Sequence, residues 1–127
     1  MSYASRAMKL KTALLFCKDL ERMVSFYEGG LGLQLLERSP GWVELDAGGA
    51  TLGLHAIRGQ LAAEIEVTTP PAPRSEAPTK LIFEADDLTL ARGRATAHGA
   101  VMFEVRGGRC DGLDPEGNVF QLVAASP

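Results

Sequence analysis

The chain repeats itself once, at an offset of 68 residues. Asp19-Leu20 falls on Asp87-Leu88, and Leu14-Leu15-Phe16 falls on Ile82-Phe83-Glu84. The same offset returns downstream, where Leu45-Asp46-Ala47-Gly48-Gly49 falls on Leu113-Asp114-Pro115-Glu116-Gly117 and Leu52-Gly53-Leu54 on Phe120-Gln121-Leu122. One register that aligns both ends of a unit of about 45 residues marks a duplicated supersecondary unit. Such units put binding chemistry where their sheets meet, so the repeat says which residues correspond.

Each copy reads as βαβββ. In the first, residues 9–17 form an apolar strand, and the Asp19 side chain is placed to cap a helix. Leu20, Met23, Val24 and Tyr27 recur at helical spacing until Glu28-Gly29-Gly30 ends the run. Strands follow at Leu33–Arg38, Trp42–Leu45 and Ala50–Ile57, separated by Ser39-Pro40-Gly41 and Ala47-Gly48-Gly49 turns. The second copy runs from a strand at Lys80–Ala85 through an Asp87-capped helix ending near His98-Gly99. Its remaining strands are Val101–Val105, Arg109–Leu113 and Val119–Ala124.

Module 1 spans about 8–57, module 2 about 80–125, and a Pro-rich linker about 58–79 joins them in one domain of 127 residues. The linker offers a short strand at Ala63–Thr68, and four prolines then keep it extended over the surface. A net charge of −3 without a basic run argues against nucleic acid and anionic membrane as partners. Two cysteines without a CxxC spacing read as reduced, packed thiols of a cytoplasmic protein. The amino terminus lacks the apolar core of a signal peptide, and no stretch is long enough to span a membrane.

The phrase KDLERMVSFYEGGLGLQLLER resembles the opening of glyoxalase-like proteins, and DPEGNVFQLV resembles their closing hairpin. These proteins form the vicinal oxygen chelate superfamily, which includes glyoxalases, bleomycin-resistance proteins and extradiol dioxygenases. The resemblance implies an α+β fold in which two tandem βαβββ modules form a curled mixed-sheet cup. It also implies four metal-ligand positions on the concave face. The first-strand ligand lies seven residues before the Asp of the Asp-Leu pair, which gives Thr12 and Lys80. The last-strand ligand lies four residues after the turn glycine, which gives Gly53 and Gln121. The repeat itself maps Thr12 onto Lys80 and Gly53 onto Gln121.

None of the four is a good ligand for a divalent cation. Threonine binds poorly, glycine has no side chain, a lysine ammonium has three donors and no lone pair, and only the Gln121 amide oxygen could ligate. No metal and no cofactor is therefore expected. Strand alternation adds further residues to the same faces: Leu14 and Phe16 beside Thr12, Ile82 and Glu84 beside Lys80, His55 beside Gly53, and Trp42 with Glu44 on the third strand. Together they describe an apolar cup with a few polar groups, the usual make-up of a small-molecule pocket.

Several roles stay open. Lys80 could recognise an anion, serve as a base or Schiff-base nucleophile, snorkel to solvent, or pair with Glu84 on its own face. His55 could be a general base, a displaced ligand or a polar group at the rim. Trp42 could stack on a planar ligand or belong to the core. The leading expectation is a metal-free small-molecule binder of the bleomycin-resistance kind. The alternative is a metal-dependent lyase, isomerase or dioxygenase with displaced ligands at His55, Glu44 and Glu84. A third is a dimeric module whose cup has lost its chemistry. By resemblance the chain is expected to form a homodimer whose cups are built from both subunits.

Overall fold

A computed structural model describes residues 9–73 and 79–125. The first eight residues and the linker segment 74–78, with Pro78 of the proline run, lie outside the described residues. Strand β1 (Thr12–Cys17) leads into helix α1 (Leu20–Val24) and a π-helical turn (Ser25–Gly30). Strands β2 (Gln34–Ser39), β3 (Trp42–Asp46) and β4 (Thr51–Ala56) complete the first unit. After helix α2 (Gly59–Glu64) come β5 (Leu81–Ala85), α3 (Leu88–Ala97), β6 (Val101–Met102), β7 (Arg109–Leu113) and β8 (Val119–Ala124).

The fold is α+β, with two four-stranded mixed sheets of order β1-β4-β3-β2 and β5-β8-β7-β6. In each, the first and last strands of the unit run parallel and the other neighbours antiparallel. The duplication is visible in the caps. Asp19 accepts from the Arg22 N–H at 3.1 Å and Asp87 from the Leu90 N–H at 3.0 Å, each satisfying one orphan donor of a helix start. It is visible again in the pairing, where Leu14 stands opposite Gly53 and Ile82 opposite Gln121.

The two units meet through their helix sides. Phe26 and Tyr27, on the π-helical turn, reach across to the second sheet. Their rings lie 5.7 Å from Phe120 and 6.2 Å from Phe83, respectively. Met23, Phe26, Tyr27, Val43, Leu45, Leu52, Leu54, Phe120 and Leu122 share one buried cluster. Each such side chain contributes about 1.5–3 kcal/mol on burial. Glycine allows the close approach here, since a Cβ on Gly29 or Gly30 would sit 3.0 Å from His98 of the second unit. The consequence for the sheets is direct. The alternate faces, turned away from the helices, stay open, and Leu14, Phe16 and Ile82 remain 42%, 55% and 60% exposed.

The Asp-Pro-x-Gly-Asn turn does more than reverse the chain. Asp114 is fully buried and accepts from the Tyr27 hydroxyl at 2.7 Å and the Asn118 amide at 2.8 Å. The N–H groups of Glu116 and Asn118 add two further bonds at 2.9 and 3.0 Å. The next acid, Glu116, accepts from the N–H groups of Lys18 and Asp19 at 2.8 and 2.7 Å. Two carboxylates of one hairpin thus hold the entry to the other unit's helix. Burial pushes the Asp114 carboxyl up, and its hydrogen bonds from Asn118 and Tyr27 pull it back in part.

Three expectations change. Ala63–Thr68 is not a strand: its start belongs to α2 and the remainder carries no regular structure. The linker is also not wholly superficial, because Pro71 is buried and Lys18 donates to the Ile65 carbonyl. The strand expected at Val101–Val105 pairs regularly only at Val101 and Met102. Beyond them, Arg106 bridges Arg109 across the Gly107-Gly108 turn.

Tyr27 gives a pH test. Burial first, then the Asp114 charge and hydrogen bond, raise its phenol well above the ordinary value. The group therefore stays protonated in the folded chain where a free phenol ionises, near pH 10. Its stabilisation is complete below that pH and is lost as pH rises through the folded value. Tyr27→Phe should cost about 1–2 kcal/mol at pH 7 and make the alkaline loss of stability shallower. Urea unfolding of both forms at pH 7 and at about pH 10.5 measures this; equal losses in both would show that another group titrates.

Candidate functional site

The residues expected to form the site occupy the two outer sheet faces. On the first sheet, Phe16, His55 and Trp42 are direct partners across β1, β4 and β3. The His55 ring lies 5.8 Å from Phe16 and 6.2 Å from Trp42, so three aromatic groups form a row across the sheet. His55 Nδ1 lies 2.9 Å from the Ala56 carbonyl. A carbonyl only accepts, so Nδ1 carries the proton and a neutral ring keeps its lone pair on Nε2.

One pair further along the strands stand Leu14, Gly53 and Glu44. Beyond them Thr12 and Thr51 join hydroxyls at 2.8 Å. Gly53 stands at the last-strand ligand position that the family resemblance implies for the first unit. A Cβ built there would lie 2.7 Å from Trp42 Cη2 and 3.2 Å from Leu14 Cδ1. The indole therefore lies over the missing side chain, and the corner is filled by an aromatic ring.

On the second sheet Ile82, Gln121 and Asp111 stand side by side. Lys80 Nζ lies 3.3 and 3.4 Å from the two Asp111 oxygens, and Gln121 Nε2 donates to Oδ1 at 3.0 Å. Lys80 thus pairs with Asp111 and not with Glu84. Both partners are about 40% exposed, so solvent screens the pair and it adds little stability. Glu84 lies one row over, aligned through Val123 with Arg109.

Asp111 is the residue that sequence reasoning missed. The 68-residue offset places Leu113 opposite Leu45, yet Leu45 pairs with Leu52 while Leu113 pairs with Val119, one position short of the offset. The second hairpin is tighter by a residue, which brings Asp111 beside Gln121. Alternation counted backwards from that hairpin, not the offset, is the signal that finds it.

Thr12, Leu14, Phe16, Trp42, Glu44, Gly53 and His55 share the first face, and Lys80, Ile82, Glu84 and Gln121 share the second. The two sheets exchange no strand pairing. An open groove of about 900 Å³ between the units takes in Ile82 and Glu84 but none of the first set.

This donor set does not fit a divalent metal. The Thr12 hydroxyl is engaged by Thr51, Gly53 offers nothing, Lys80 brings a positive charge, and Gln121 leaves one amide oxygen. Among the described residues no three His, Cys, Asp or Glu side chains gather as ligands.

Two tandem βαβββ units with open mixed sheets define a cup-forming class of α+β proteins. The sequence profile of the Glyoxalase/Bleomycin resistance protein/Dioxygenase superfamily matches residues 9–122, and the chain belongs to that superfamily. Its structure is similar to a glyoxalase/bleomycin resistance protein/dioxygenase family enzyme from Burkholderia phytofirmans PsJN, with TM-score 0.73 and 26% identity over 94% of this chain and 100% of the other. TioX from Micromonospora sp. ML1 matches with TM-score 0.65 and 19% identity over 92% and 98% of the two chains. Lactoylglutathione lyase from Agrobacterium tumefaciens matches with TM-score 0.63 and 21% identity over 94% and 95%. No curated protein matches the chain. Among the described residues no helix is long and apolar enough to cross a membrane.

Because the Trp42 ring occupies the place of a side chain at position 53, Gly53→Ala should drive the indole outward. The emission maximum of the chain's one tryptophan should shift to the red, with a stability cost of about 1 kcal/mol. An unchanged emission spectrum would show that the ring does not rest on Gly53.

Proposed function

We propose that this protein binds a small organic molecule in an apolar cup, without a metal, and that two copies assemble each cup in the cytoplasm. The observation that carries the reading is the pair of outer sheet faces. Leu14, Phe16 and Ile82 are large, apolar and exposed, and they flank corners at Gly53 and Gln121 that carry no metal-binding set. Apolar surface of this kind, rimmed by polar groups, marks a place where something docks. Strands β1 and β5 each lie at a sheet edge, which gives a second copy backbone groups to pair with. Pairing there would bring the first face of one copy beside the second face of the other. Leu14, Phe16, Trp42, Glu44 and His55 would then share a cup with Lys80, Ile82, Glu84 and Gln121. Sequestration asks for shape and burial rather than a Lewis acid.

The metal-dependent alternative needs His55, Glu44 and Glu84 to converge. His55 and Glu44 lie on adjacent strands, but Glu84 is on the other sheet.

Sedimentation at micromolar concentration should give the mass of a dimer. Tag-free protein purified without chelator should hold no stoichiometric zinc, nickel, manganese or iron after dialysis. A metal that survives dialysis overturns metal-free binding, and a monomeric mass overturns the shared cup.

A further inference from the structure

We infer that the ligand is an organic cation, an ammonium group on an apolar body, held by the Phe16–His55–Trp42 row with Glu44 as counter-charge. The inference rests on the cup reading above and names its ligand class. Three observations on the first sheet carry it.

The first is the aromatic row itself. Its ring centroids are 5.8 and 6.2 Å apart and the rings are tilted by 60° and 66°, so they present faces and edges to a shared space above the sheet. The Gly53 position keeps the Trp42 indole within this row. Aromatic faces attract a cation through their quadrupole, and indole does so best.

The second is a bulge that aligns two acids. Leu35 pairs with Leu45, so regular pairing would set Leu36 opposite Glu44; the register shift sets Glu37 there instead. Like charges directly opposite on a sheet repel. Neither glutamate is joined to a cation among the described residues, where Arg38 turns to Glu21 and Lys80 to Asp111.

The third is the balance of charge between the faces. Glu37, Glu44 and Asp46 share the first face, while Arg38 of β2 stands opposite Val43 on the other face and pairs with Glu21. The second face sets Lys80 and Arg109 against Asp111 and Glu84. The uncompensated negative charge therefore lies beside the aromatic row. A bound anion would meet repulsion there, and a neutral ligand would leave two facing carboxylates unpaired.

Trp42 is the one tryptophan, so its fluorescence reports on the site directly. Phenyltrimethylammonium and its neutral isostere tert-butylbenzene are titrated against the full-length protein. The cation should bind about tenfold more tightly or better. Glu44→Gln should remove most of that preference, read as the ratio of the two affinities, and Glu44→Asp should restore part of it. Equal affinities with no effect of Glu44→Gln overturn the cation inference and leave the apolar cup standing. If neither compound perturbs Trp42, the inference and the cup reading fall together.

Discussion

The Asp114 carboxylate is the point on which the two halves of this protein depend. It sits in the second unit, takes four hydrogen bonds, and receives one of them from Tyr27 of the first. A buried charge is tolerable only when its lone pairs are filled. The unit boundary is therefore fixed by an electrostatic demand as well as by apolar contact. Glu116, two residues on, fills the same need in the other direction by meeting the N–H groups ahead of α1. The aromatic contacts of Phe26 with Phe120 and of Tyr27 with Phe83 lie at the same boundary.

This arrangement decides where chemistry can occur. Each sheet has two faces, and the helices with the opposite unit occupy one of them. The remaining faces are left to solvent, although they carry Leu14, Phe16, Trp42 and Ile82. A single chain thus holds two open sheet faces looking away from its core. Their residue types differ: the first is aromatic and acidic, the second a polar set of lysine, aspartate and glutamine.

Much of this was legible in the sequence. The Asp-Leu repeat marked both helix caps because a cap requires a specific side chain at a specific place, and alternation sorted Ala13, Leu15 and Cys17 from Thr12, Leu14 and Phe16. Lys80, Gly53 and Gln121 were placed by the family resemblance together with the 68-residue offset. Features that depend on pairing between strands were not legible. The tighter second hairpin, which puts Asp111 beside Gln121, has no one-residue signature. Neither has the bulge that sets Glu37 opposite Glu44. The π-helical turn sets Gly29 and Gly30 close against His98, a contact between residues far apart in the chain.

The fit of Trp42 over Gly53 couples the two positions. A side chain added at position 53 would meet the far edge of the indole, so the ring must move to admit it. Residues in contact do not contribute additively, and the cost of filling position 53 is therefore set by what stands at position 42.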